Sequence, residues 1–144
     1  MKEPIFTWNE ETGVATCELG GDGMKFIGTA TCHADDLDMK SQRTGSELAF
    51  KRAEIEALKY YRNILKAQFD ALNQLYYSMK HSGNFNDKSY ENYMLQRQIS
   101  LKENDIKEAK EIIIEKKLAI KEMIAGKEAL YQQLRKLRNK NKAA

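Results

Sequence analysis

Ile106-Lys107-Glu108-Ala109-Lys110-Glu111-Ile112-Ile113-Ile114-Glu115-Lys116-Lys117-Leu118-Ala119-Ile120 is the stretch on which the fold turns. Its isoleucines at 106, 113 and 120 stand seven apart, Ile99 extends the series backwards, and Leu134 resumes it. Ala109, Met123, Leu130 and Leu137 occupy the complementary positions. Apolar residues that recur every 3.5 positions hold one stripe of an α-helix against a partner helix, so the spacing predicts a coiled-coil seam. The helix carrying it is expected from about residue 88 to about residue 138. Ile112, Ile114, Leu118 and Ile124 lie off that seam, more apolar side chain than one partner helix covers. Burying an Ile is worth roughly 1.5–3 kcal/mol, so association with further copies of the chain is the expected way to cover them.

Working backwards, His81-Ser82-Gly83-Asn84-Phe85-Asn86-Asp87 offers a C-terminal glycine, a polar turn and a helix N-cap in Asp87, so the chain should reverse there. Before it, no Gly or Pro interrupts residues 46 to 80, and an apolar stripe runs through Leu48, Ile55, Leu58, Leu65, Phe69, Leu72 and Tyr76. Thr44-Gly45-Ser46-Glu47 has capping-box spacing, which starts this helix near Ser41 to Thr44. About 35 residues make roughly 50 Å of helix, more than a domain of this size needs for its own core.

The first 32 residues read differently. Thr7-Trp8 and Val14-Ala15-Thr16 flank Asn9-Glu10-Glu11-Thr12-Gly13, a polar turn ending in glycine, which predicts a hairpin of strands near residues 4 to 8 and 14 to 19. After Gly20-Gly21-Asp22-Gly23, the residues Met24, Phe26, Gly28, Ala30 and Cys32 alternate with Lys25, Ile27, Thr29 and Thr31, as a half-buried strand requires. Gly28 and Ala30 make its inner face shallow, and close helix packing is the expected use. The fold class is therefore α+β: a short N-terminal antiparallel sheet of about three strands, then a long antiparallel two-helix hairpin. One domain is expected over residues 1–144, with the sheet and an acidic loop in 1–40 and the hairpin in 41–144.

Composition agrees with long solvated helices. Of 144 residues, 31% are charged and 42% apolar, with eight Gly and one Pro. The overall charge of +3 conceals an asymmetry. Residues 1–40 carry three lysines against eight acids, a balance of −5 that leaves +8 for residues 41–144. A cationic helical part attracts nucleotides, phosphates or nucleic acid, although interleaved Glu and Lys on solvated faces explain the same count. No apolar run approaches the ~18 residues that span a bilayer, and the start, Met1-Lys2-Glu3-Pro4, lacks a signal peptide's apolar stretch. Cys17 and Cys32 are expected as reduced, buried thiols of a cytoplasmic protein.

Enzyme readings are weak. His33 and His81 sit in no motif that activates a Ser or Cys, and Gly20-Gly21-Asp22-Gly23 has no helix after it to cradle phosphate. Cys32-His33-Ala34-Asp35-Asp36-Leu37-Asp38 gathers a thiol, an imidazole and three carboxylates, but without a second Cys/His pair or a distal bidentate Glu it completes neither a zinc nor a calcium site. No metal, cofactor or catalytic residue is expected. Binding a charged small ligand needs less: guanidinium groups to fork phosphate oxygens and an aromatic face to stack a base. Arg43, Arg52, Arg62 and Arg97 supply the first, and Phe26, Tyr60, Tyr61, Phe85, Tyr90 and Tyr93 the second. The structural alternative for each is an exposed ion pair or ordinary packing.

The segment Phe26-Ile27-Gly28-Thr29-Ala30-Thr31-Cys32-His33-Ala34-Asp35-Asp36, followed by Ser41, Gly45, Leu48-Ala49 and Arg52-Ala53, resembles a small phage-encoded protein. With its sheet-then-two-helices layout over the whole chain, it is similar to the first-described family of Thoeris anti-defence proteins. The resemblance implies a sponge in the host bacterial cytoplasm: an oligomer that sequesters cyclic ADP-ribose signalling isomers without cleaving them, in some members with cyclic oligonucleotides at separate sites. It also implies pockets built from Arg, Phe and Asn at subunit boundaries where helices meet the sheet. The matching candidates are Arg52 of the Arg52-Ala53 pair, with Phe85 and Asn86 in the helix turn; Arg43 and Arg97 join them by chemistry alone. The expected partners are thus a cyclic ADP-ribose isomer and further copies of the chain, with a hexamer as one candidate stoichiometry, and no membrane. A phage structural or assembly coiled coil without a ligand is the alternative, and nucleic-acid binding ranks last.

Overall fold

A computed structural model describes residues 3–21, 23–32, 41–82 and 89–143, except the side chains of the last two. Three strands form one antiparallel sheet in the order β1-β2-β3: β1 Ile5–Asn9, β2 Val14–Gly21 and β3 Met24–Thr31. Two long helices follow, α1 Gln42–Lys80 and α2 Tyr90–Ala143, so the chain is α+β as the sequence predicts. By internal contact it divides into two compact units, Met1–Ala57 with Glu115–Ala144, and Leu58–Ile114.

The first hairpin closes as its turn chemistry dictates. The Asn9 side-chain oxygen accepts hydrogen bonds from the Glu11 and Thr12 amides at 3.0 and 3.1 Å, and Gly13 takes the left-handed φ of 66°. Pairing of Phe6 with Cys17, and of Cys17 with Gly28, puts the alternation into register across the sheet. One face gathers Ala15, Cys17, Leu19 and Ala30, all buried, while Glu18, Ile27 and Thr29 point to the other. Met24, expected inside, is exposed at the hairpin end of β3.

The buried face belongs to α1. Leu48, Ala49 and Ala53 close the core over the strands, with Trp8, Phe26, Phe50, Ile120, Met123 and Ile124 packed around it. The approach is close because both sides are small. A Cβ at Gly28 would overlap the Ala49 carbonyl oxygen and the Ala53 amide nitrogen, and one at Gly45 would stand 3.1 Å from the Ala15 Cβ. Gly45, read from the sequence as part of a capping box, is therefore a packing residue. The cap itself is Ser41, whose hydroxyl accepts from the Thr44 amide at 3.2 Å. Likewise at the start of α2 the Ser89 hydroxyl accepts from the Asn92 amide at 3.2 Å; the expected cap, Asp87, lies outside the described residues.

The expected apolar stripe of α1, from Leu48 to Tyr76, is buried or half-buried throughout. In the Leu58–Ile114 unit, Leu65, Ile106 and Ala109 form a core with Phe69 against it, and Lys102 donates to Gln68 at 2.7 Å. In the other unit Lys116 meets Glu54 at 3.5 Å. Within the Leu58–Ile114 unit, Gln68 meets Lys102 while Leu65, earlier on α1, packs with Ile106 and Ala109, later on α2, which is antiparallel pairing. The expected seam fails at its far end: Leu130 and Leu137 are exposed and Tyr131 is buried instead. A straight helix of 3.6 residues per turn drifts about 20° per heptad from a 3.5 repeat, so the buried stripe moves onto other residues along so long an element.

Cys17 is wholly buried against this core, and both cysteines are free thiols. Burial first, then the Glu18 and Glu54 carboxylates, push the Cys17 thiol above its ordinary value of 9.0. The folded state thus holds this proton more tightly than the unfolded chain. Its contribution to stability is complete below the ordinary value and is lost as pH rises through the raised one. Melting midpoints measured from pH 8 to 10.5 are expected to fall more steeply for the wild type than for Cys17→Ala; parallel curves would show that the thiol does not contribute.

Candidate functional site

Arg52 is the sequence candidate that the fold places most specifically. Its Cβ lies against Gly28, where α1 crosses β3, and its guanidinium donates from Nη1 to the Thr29 carbonyl oxygen at 2.7 Å. β3 is an edge strand, so this bond satisfies a carbonyl that no further strand takes up. Around it lies a depression of about 320 Å³ where helix meets sheet, lined by Ile27, Gly28, Thr29, Arg52, Ile55, Glu56 and Lys117. One of the guanidinium's five donors is committed there, which leaves a forked face for an anion.

Arg43 sits in the opening of α1 with its side chain 91% exposed and pairs with Glu47 at 3.4 Å. Nine residues from Arg52 is two and a half helical turns, so the two guanidinium groups leave α1 on opposite sides and do not converge. Arg97 is exposed on α2 in the Leu58–Ile114 unit. Phe85 and Asn86 lie outside the described residues, as do His33 and the acids that follow it. Among the described residues, no three His, Cys, Asp or Glu side chains converge on a position for a metal ion. No described helix is long and apolar enough to cross a membrane.

Two further hollows are lined by described residues. One of about 310 Å³ at the β2–β3 hairpin has Glu3 and Glu18 against Lys25, a balance that repels anions. The other, of about 490 Å³, lies between α1 and α2 within the Leu58–Ile114 unit, with Lys66, Lys107 and Lys110 around Phe69 and Ile106. Sequence reasoning missed it because it exists only once the two helices are in register. The local signal is the like-charged pair Lys107 and Lys110, three residues apart on one helix.

Comparison with protein-family models, with curated proteins and with solved structures finds no match to this chain.

Proposed function

We propose that this chain is a non-catalytic, phage-encoded immune-evasion protein of the Thoeris anti-defence kind. In this reading it acts in the host bacterial cytoplasm as a homo-oligomer, holding a cyclic ADP-ribose signal intact, with cyclic oligonucleotides as a second ligand class. The observation that carries the reading is the surplus of apolar surface on the helices. Tyr61, Leu75, Leu101, Ile114 and Leu118 are each more than half exposed. Copies that join to cover them create clefts at their boundaries, and the Arg52 depression is a place where such a cleft would meet a cationic group. Arg43, Arg97, Phe85 and Asn86 remain the accompanying candidates. A sponge needs tight binding of a ground state and no arrangement specialised for a transition state.

The test is recovery of ligand. Purified protein should deplete a cyclic ADP-ribose isomer from ultrafiltrate and return it chemically unchanged after heating. At 100 times its Kd the ligand should add about 2.7 kcal/mol, a rise in melting temperature of roughly 8–12 °C for a chain this long. A degraded ligand would mean an enzyme. No thermal shift with any cyclic nucleotide or ADP-ribose derivative would favour a phage assembly coiled coil, and retention on DNA that collapses steeply with salt would favour a nucleic-acid binder.

A further inference from the structure

We propose that the cleft between α1 and α2 in the Leu58–Ile114 unit binds the ribose-linked pyrophosphate of an ADP-ribose-type nucleotide. This deepens the sequestration reading and rests on it for the ligand class. The cleft is about 490 Å³, within the roughly 300–1,000 Å³ of small-ligand pockets. Its floor is Phe69, half-buried, and Ile106, buried, both anchored in the core with Leu65 and Ala109. Its rim carries the ammonium groups of Lys66, Lys107 and Lys110 and the carboxylates of Asp70 and Glu103.

These five charged side chains make no hydrogen bond or ion pair among the described residues, though both signs line one hollow. Elsewhere on the same helices comparable groups are engaged, Lys102 with Gln68 and Lys116 with Glu54. Lys107 and Lys110 are i,i+3 neighbours on α2, and like charges at that spacing repel. A doubly charged pyrophosphate between them and Lys66 would turn repulsion into charge-assisted hydrogen bonding. The carboxylates identify the rest of the ligand. Asp70 and Glu103 suit neutral donors rather than further phosphate, and ribose hydroxyls donate to carboxylates, the way acidic residues hold ribose in dinucleotide sites. The Phe69 ring then offers an apolar surface to the sugar or base.

Titration calorimetry on the full chain, with ADP-ribose, inorganic pyrophosphate and a cyclic ADP-ribose isomer as probes, tests this. Lys107→Glu/Lys110→Glu should weaken ADP-ribose and pyrophosphate binding at least tenfold. Lys121→Glu/Lys136→Glu, which changes net charge equally but lies in the other unit, should stay within twofold of wild type. Phe69→Leu should weaken ADP-ribose binding while sparing pyrophosphate. Should the glutamate pair melt early, Lys107→Gln/Lys110→Gln supplies the same comparison. Equal weakening by cleft and control pairs would overturn the site, since only overall charge would then matter. Wild-type binding of ADP-ribose with no response to the cleft pair would overturn it too. Cleft-dependent binding of ADP-ribose without binding of the cyclic isomer upholds the cleft and sinks sequestration. Binding of the cyclic isomer that ignores the cleft variants does the reverse. A wild type that binds none of the three probes removes both.

Discussion

Gly28→Ala is expected to destabilise the protein by about 3 kcal/mol, the upper end of what overpacking costs. The added methyl group would enter the backbone of α1 at the Ala49 carbonyl and the Ala53 amide, with the Arg52 Cβ at 3.0 Å closing the remaining side. Helix backbone cannot rotate aside as a flexible side chain does. The helix must therefore lift, and Leu48, Ala49 and Ala53 lose contact with Ala15, Cys17 and Ala30 together. The opposing effect, lower entropy of the unfolded chain on replacing Gly by Ala, is worth only about 0.4–1 kcal/mol. Sterics win by a wide margin. Against a total stability of ~5–15 kcal/mol, the loss should show as a large drop in the urea midpoint. Gly126→Ala on α2, where nothing lies within 4 Å, should instead raise stability by about 0.5–1 kcal/mol, because a helix interior disfavours glycine. The same substitution with opposite signs at two positions separates close packing from propensity. A Gly28→Ala protein as stable as the wild type would refute the close approach of α1 to β3.

That contact shows how far residue patterns reach. The alternation of Phe26, Gly28 and Ala30 with Ile27 and Thr29 announces a strand with a shallow inner face, and the structure fills it with a helix. Turns were equally readable, because Asn9 and Gly13 have few other uses in that order. Caps were less so. Ser41 holds the start of α1, while Thr44 looked as good in one dimension, since a cap depends on where the tertiary structure lets the first turn begin. The site was legible only in part. Arg52 could be singled out by its chemistry, but its bond to Thr29 joins residues 23 apart, and no local pattern encodes that. The lysine cleft depends in the same way on which turn of α1 faces which turn of α2.

The second large effect concerns assembly. Within the Leu58–Ile114 unit, Tyr60, Ile64, Ala67, Ala71 and Leu75 are exposed and recur every three or four residues, a second apolar stripe on α1. It lies about 100–140° behind the seam of Leu65 and Phe69, and Leu101 and Ile112 lie about as far behind the seam on α2. In an antiparallel pair the sense of rotation reverses, so equal offsets bring both stripes to one side of the hairpin. That side measures about 22 Å along α1 and about 20 Å across, roughly 440 Å² of projected face, about half of the ~800 Å² each partner buries in a standard stable contact. In the proposed homo-oligomer a second hairpin would present a matching surface, and two together would make a four-helix bundle. Ile64→Glu combined with Leu101→Glu should then convert the proposed oligomer into a folded 16.6 kDa monomer in sedimentation equilibrium at micromolar concentration, with helical circular dichroism retained. Neither residue belongs to the buried core, so the monomer should fold; Ile114→Glu with Leu118→Glu, off this stripe, should leave this contact intact. An oligomer that survives the first pair and dissociates with the second moves the interface to the other side of α2. A wild type that already sediments at 16.6 kDa leaves the apolar surface unexplained by self-association and takes away the physical ground for a sequestering assembly.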